Sequence, residues 1–165
     1  MKIDKLWNGL KRIANGDYVL EGDLISEETI EIDLNDRFVV RGRIQTKKSI
    51  VVRCGIEAGC GIKAGEGIKA GWGIEAGWGI EAGWGIEAGW GIEAGWGIEA
   101  GCGIEAGWGI EAEKFIDVQK RIFAGISVYR TSRDCDKTIR CAELRNGEIC
   151  YGDLTLTKEG KPDEG

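Results

Sequence analysis

Residues 72–96 read WGIEAGWGIEAGWGIEAGWGIEAGW, one six-residue unit, Gly-Trp-Gly-Ile-Glu-Ala, repeated without error. Such a stretch is either low-complexity chain that never folds or one element wound many times. Following the isoleucine in steps of six decides between them. The column runs Ile32, Phe38, Ile44, Ile50, Ile56 and on through every sixth residue to Ile116, Ile122 and Val128, and fails at Ser26 and Asp134. A disordered Gly-rich linker has no reason to keep an apolar beat through the non-repetitive DRFVVRGRIQTKKSIVV at 36–52. The beat therefore predicts a folded solenoid.

The other columns assign the faces of the unit. The Ala column reads Leu34, Val40, Thr46 and Val52, then Ala from 58 to 112, then Val118 and Ala124, and so faces inward. The Trp column also accepts Asp36, Lys48, Cys54, Cys60, Glu66, Lys114 and Lys120. An unpaired charge is too costly to bury, so this column faces water. Ile-Glu-Ala then alternates in, out, in, as a strand does. Gly-Trp-Gly is the corner, with the glycines expected to supply positive φ. Hexads close a three-sided coil of 18 residues, with a two-sided coil of 12 as the competing register. Residues 20–130 would make about six coils with a strand spacing of about 4.8 Å.

The expected fold is thus all-β, a three-sided β-solenoid over 18–130. An N-terminal cap is expected over 1–17, where Ile3, Leu6, Trp7, Leu10 and Ile13 recur at helical spacing and Asn15-Gly16 would stop the helix. Residues 131–165 are expected to form a hairpin on Asn146-Gly147, followed by a frayed tail.

Charge and chemistry narrow the function. The net charge of −6 is concentrated in residues 54–112, where only Lys63 and Lys69 oppose nine Glu. There is no His. Hexapeptide acyltransferases share the three-sided solenoid but use a His base, and solenoid carbonic anhydrases hold zinc with His; both resemblances fail at the residue that would do the work. The six cysteines form no Cys-x-x-Cys pair and read as free thiols. No catalytic residue, metal or cofactor is expected. The charged N-terminus has no apolar signal core, and no apolar run reaches the length of a membrane span, so a cytoplasmic chain without a membrane partner is expected.

Two features exceed what solubility needs. Under 18-residue stacking, Glu75 and Glu93 share one face, Glu81 and Glu99 the second, Glu87 and Glu105 the third. A single-sign ladder on a rod imitates a nucleic-acid backbone, so its natural target is a basic, nucleic-acid-binding protein rather than nucleic acid itself. Trp72, Trp78, Trp84, Trp90, Trp96 and Trp108 form exposed corners, a contact ridge suited to arginine through cation–π contact.

The hexad beat over 32–128 between short non-repeating ends resembles bactofilin-type polymer-forming solenoids. That resemblance implies compact three-sided coils that polymerise end to end without nucleotide. It supplies the alternative reading, a structural scaffold that self-assembles through its ends or Trp ridges. By shape and charge alone the chain is also similar to acidic repeat solenoids that mimic DNA, such as the pentapeptide-repeat inhibitors. An anti-CRISPR or anti-restriction inhibitor is the corresponding expectation.

Overall fold

The computed structural model describes residues 1–126 and 136–157. Each Ile-Glu-Ala forms a three-residue strand, as in Ile74–Ala76, Ile80–Ala82 and Ile86–Ala88, with the two ends buried and the Glu exposed. Three strands complete one turn. Ile62 lies beside Ile80, Ile68 beside Ile86 and Ile74 beside Ile92, all in parallel register. The coil is therefore 18 residues per turn and three-sided, and the 12-residue register does not occur.

The three faces are rows of parallel strands. The first climbs from Lys2–Asp4 through Ile30–Asp33, Ile50–Val52, Ile68–Ala70, Ile86–Ala88 and Ile104–Ala106. The second climbs from Leu24–Ser26 through Ile44–Thr46, Ile62–Ala64, Ile80–Ala82 and Gly97–Ala100. Both end on Phe115–Ala124, one strand long enough to serve two faces. The third climbs from Tyr18–Leu20 through Phe38–Val40, Ile56–Ala58, Ile74–Ala76, Ile92–Ala94 and Ile110–Ala112 to Thr138–Cys141 and Asp153–Leu156. The turn from Tyr18 to Phe38 is wider, pairing at 20 residues rather than 18. Its extra length lies in the corner after Ile32, where Leu34 still points into the core.

Each turn of the repeat stacks three Ile and three Ala on the turn below. The Ile side chains from 44 to 122 are at most 2% exposed and the Ala side chains at most 3%. Full burial of an aliphatic side chain contributes about 1.5–3 kcal/mol, so the Ile ladders are the main cohesive term. Thr46 is the one buried polar side chain among the described residues, and its hydroxyl donates to the Glu28 carbonyl at 2.6 Å.

The corners hold together by backbone. Trp90 N–H donates to the Trp72 carbonyl at 3.2 Å, and Trp108 N–H to the Trp90 carbonyl at 3.3 Å. The glycines from Gly42 to Gly109 do not serve by positive φ; the positive-φ glycines lie toward the two ends, at Gly9, Gly16, Gly22, Gly125, Gly147 and Gly152. Those of the repeat serve by close approach. A Cβ on Gly83 would sit 2.1 Å from the Gly65 carbonyl oxygen, and one on Gly89 2.1 Å from that of Gly71. This close approach selects glycine after Ala from Gly59 to Gly101, although Glu113 takes the same column on a uniform turn at the upper end. Arg41, Lys47 and Arg53 occupy the same column at the wider turn.

Both ends depart from the sequence expectation. There is no N-terminal helix. Lys2–Asp4 adds a parallel strand to Glu31–Asp33, and Lys11–Arg12 pairs antiparallel with Tyr18–Val19. Ile3 is fully buried, but Leu6 is 84% exposed. The sheet edge at Glu31–Asp33 offers unpaired backbone groups that a strand satisfies and a helix does not. Gly9, at φ +106°, also breaks the segment in its middle. The C-terminal hairpin is likewise absent. Glu143–Tyr151 is a single bulged strand lying parallel on Phe115–Ala124. Gly147, at φ +119°, turns the chain from one face to the next while a Cβ there would press on Ile122. The parallel course places Leu144 and Ile149 against the core and covers the edge of Phe115–Ala124. The boundary expected at 130/131 and the tail from 158 lie outside the described residues.

Candidate functional site

The register places the predicted carboxylates in rows. Glu57, Glu75, Glu93 and Glu111 climb the third face. Glu81 and Glu99 climb the second, with Lys63 below and Asp117 above. Glu87 and Glu105 climb the first, with Lys69 below and Phe123 above. All six carboxylates singled out in the sequence, Glu75, Glu81, Glu87, Glu93, Glu99 and Glu105, are exposed.

Cations at the margins neutralise part of the ladder. Lys63 pairs with Glu81 at 2.7 Å and Lys69 with Glu87 at 2.7 Å. Arg37 reaches Glu57 at 2.9 Å and Glu75 at 3.7 Å, and Arg140 holds Glu111 at 3.1 Å. Among the described residues no cation lies within salt-bridge distance of Glu93, Glu99 or Glu105. These solvated pairs contribute little to stability. They set where the uncompensated charge lies.

Loss of solvent around its carboxyl, then the charges of Glu57 and Glu93, push Glu75 above its ordinary pKa, against the pull of Arg37. A carboxyl raised in the folded state lets that state keep a proton the unfolded chain has already released. Stability therefore falls as pH rises from the ordinary carboxyl value through the raised one, and the deficit is complete above it. Glu75→Gln removes this deficit. Its Tm should match or exceed that of the wild type at about pH 7, and the difference should shrink as pH falls below the ordinary carboxyl value, where the carboxyl is protonated in both states.

The Trp corners are not equivalent. Trp72, Trp90 and Trp108 stack ring on ring, with centroids 5.5 and 5.6 Å apart and planes within 12°. Each such pair is worth about 0.5–1.5 kcal/mol. Stacking turns the ring faces toward one another and the edges outward, so this corner does not offer its inner faces to an arginine. On another corner the chain's own Lys114 Nζ lies 6.0 Å from the centre of the exposed Trp96. Trp78 and Trp84 are the most exposed of the six, at 71% and 60%. Cys54, at the foot of the stacked column, is buried rather than exposed, and burial pushes its thiol up to about 11, far from a nucleophile's range.

Each face carries a shallow groove floored by the glycines that precede Ile. The third-face groove, about 340 Å³, runs between the Trp72–Trp90–Trp108 stack and the Glu75–Glu93–Glu111 row, from Arg37 to Arg140. The second-face groove, about 440 Å³, is lined by Trp78, Trp96, Glu81 and Glu99. Phe115 closes its upper end, lying where a Cβ on Gly97 would meet the ring at 2.6 Å. The first-face groove, about 380 Å³, is bounded by Lys69, Glu87, Glu105 and Phe123.

Arg37, Arg140 and Phe115 were not singled out in the sequence. Arg37 and Phe115 occupy the glycine column of Gly55, Gly73 and Gly97, where the departure from Gly was the available signal. Arg140 lies past the end of the beat and gave none. The cysteines described, Cys54, Cys60, Cys102, Cys141 and Cys150, are free thiols. No group of three or more metal-binding side chains occurs among the described residues, and none of their elements is a helix able to cross a membrane. No protein-family model, no curated protein and no solved structure matches this chain.

Proposed function

We propose that this chain is a non-enzymatic acidic rod that binds a basic, nucleic-acid-binding protein in the place of its nucleic acid, acting in the cytoplasm as an inhibitor of the anti-restriction or anti-CRISPR kind. The observation that carries the reading is the linear density of carboxylates. Over the two turns holding Glu75, Glu81 and Glu87, then Glu93, Glu99 and Glu105, each face contributes one carboxylate per strand. At a strand spacing of about 4.8 Å, three faces place one carboxylate per about 1.6 Å of axis. Glu75, Glu81 and Glu87 are paired to Arg37, Lys63 and Lys69, and Glu93, Glu99 and Glu105 are left without a cation among the described residues. Duplex DNA carries one negative charge per about 1.7 Å. A surface evolved for a duplex therefore meets carboxylates at a similar spacing, and the uncompensated ones provide the complementary potential that speeds encounter. The same sign of charge disfavours direct contact with nucleic acid or an anionic membrane.

The test replaces all six of these Glu by Gln. Gln keeps side-chain size and strand position, so the fold should persist. Wild-type rod used to capture proteins from lysate should retain basic nucleic-acid-binding proteins that added DNA displaces, and the six-Gln rod should lose them. Capture that survives both the Gln changes and the DNA would refute mimicry and move the contact to the Trp corners.

Self-assembly is the second reading. The last described strand, Asp153–Leu156, is exposed at every residue, with Leu154 and Leu156 turned outward at 41% and 57%. Light scattering separates the two readings, because a scaffold grows with concentration and an inhibitor rod does not.

A further inference from the structure

We infer that the two ends of the rod are complementary and that a second copy of this chain docks head to tail. The strand Asp153–Leu156 of one copy fills a vacant strand position beneath Leu24–Ser26 of the next. The inference rests on the self-assembly reading and gives it a specific contact. Strand count carries it. Below the first full turn, Lys2–Asp4 adds a strand to the first face and Lys11–Arg12 adds one to the third. Among the described residues no strand lies beneath Leu24–Ser26 on the second face. Above the last full turn, Asp153–Leu156 stands on the third face, and no described strand stands on Glu143–Tyr151. One end therefore lacks one strand of a turn, and the other end supplies one. A rotation of one face about the rod axis merges the two partial turns into a complete one.

The backbone agrees. Alternate residues of a strand bond to opposite neighbours. Leu24 N–H donates up to the Arg43 carbonyl at 2.9 Å, so Ile25 turns its N–H and C=O to the vacant position. Asp153 and Thr157 N–H donate down to the carbonyls of Lys137 and Cys141, so Leu154 and Leu156 present theirs upward. Parallel docking with Thr155 beside Ile25 lets Ile25 N–H donate to the Leu154 carbonyl and Leu156 N–H donate to the Ile25 carbonyl. The side chains agree too. Leu154 and Leu156 stand in register on Ile139 and Cys141, which are fully buried, yet they are 41% and 57% exposed because no described strand lies above them. Docking sets Leu154 beneath Leu24 and Leu156 beneath the small Ser26. The same rotation brings Lys11–Arg12 over the Glu148–Tyr151 segment, where Lys11 and Glu148 have no ion pair among the described residues. Side-by-side packing would instead bring the acidic walls of two rods together. A head-to-tail contact does not close on itself, so it repeats into a filament.

The experiment blocks each end separately. Ile25→Pro and Leu156→Pro each remove one N–H that faces the open edge, where proline is tolerated. In light scattering the wild-type mass should grow with concentration, and each variant alone should stay monomeric. An equimolar mixture of the two should stop at twice the monomer mass, because only one intact pair of ends remains. A second measurement spares the backbone. Ile25→Cys and Thr155→Cys would lie one strand apart across the contact, about 4.8 Å, within disulfide reach. Mixed under mild oxidation, they should give a crosslinked dimer that neither gives alone. A wild type that never grows would overturn this inference together with the self-assembly reading. Growth of the wild type with no complementation in the mixture would overturn the inference and leave self-assembly through the Trp corners standing. Thr155→Cys crosslinking to itself would likewise overturn it, by joining two upper ends.

Discussion

Ile80→Asp should unfold the rod at ordinary temperature, whereas Trp84→Asp should leave its thermal transition nearly in place. Ile80 is 1% exposed and lies between Ile62 and Ile98 in a continuous aliphatic ladder. A carboxylate there loses its water and finds no cation in the column, a penalty of several kcal/mol added to the lost burial of the Ile. That is a large share of the total stability of a domain of this size. Trp84 is 60% exposed, and its column neighbours are Glu66 and Cys102, so no ring-on-ring stack is lost. An exposed substitution of this kind changes stability by about 0.5 kcal/mol. Equal losses in the two variants would mean that the tryptophans are part of the core.

The second large effect concerns two glycines that look identical in the sequence. Gly83→Ala should destabilise by about 3 kcal/mol or more, and Gly85→Ala far less. The added methyl at 83 would meet the Gly65 carbonyl oxygen at 2.1 Å, a contact with backbone that cannot rotate away. At 85 the nearest atom is the Gly103 carbonyl oxygen at 3.2 Å, which a shift of a few tenths of an ångström relieves. Chemical denaturation of the two variants measures the difference. Similar losses would point to the general entropic and conformational role of glycine rather than to close stacking of the corners.

This contrast also marks where sequence reasoning reached its limit. The beat of Phe38 to Ile122 and the character of the Ala column were enough to derive strand alternation and inward faces, because burial acts on composition column by column. The same columns left the 12-residue register open beside the 18-residue one. Ile32, counted in the Ile column, instead pairs with Val52 of the Ala column, while Ile30 pairs with Ile50. Column composition does not reveal why a residue is small. Positive φ and close approach both select Gly, and only the distance between stacked corners distinguishes them. The ends failed for a different reason. Ile3, Leu6, Trp7, Leu10 and Ile13 do recur at helical spacing, but a sheet edge next to them outweighs a weak local preference. Asn146-Gly147 likewise has hairpin chemistry, yet the surface beneath it rewards parallel stacking of Leu144 and Ile149. At the candidate site, the carboxylate rows followed directly from register. The neutralising partners did not, since Arg140 comes from beyond the repeat and the ring orientation of Trp90 depends on packing.

The most direct test of the acidic-rod account is the salt dependence of the complex between the rod and the basic protein it captures. Each uncompensated carboxylate that a basic partner pairs with gives up its associated counterion on binding. The logarithm of affinity should therefore fall linearly and steeply with the logarithm of salt concentration. The slope should flatten as Glu75, Glu81, Glu87, Glu93, Glu99 and Glu105 are replaced by Gln, in steps of roughly one for each carboxylate that contacts the partner. An affinity that stays flat across salt, with the same slope in the six-Gln rod, would contradict the account.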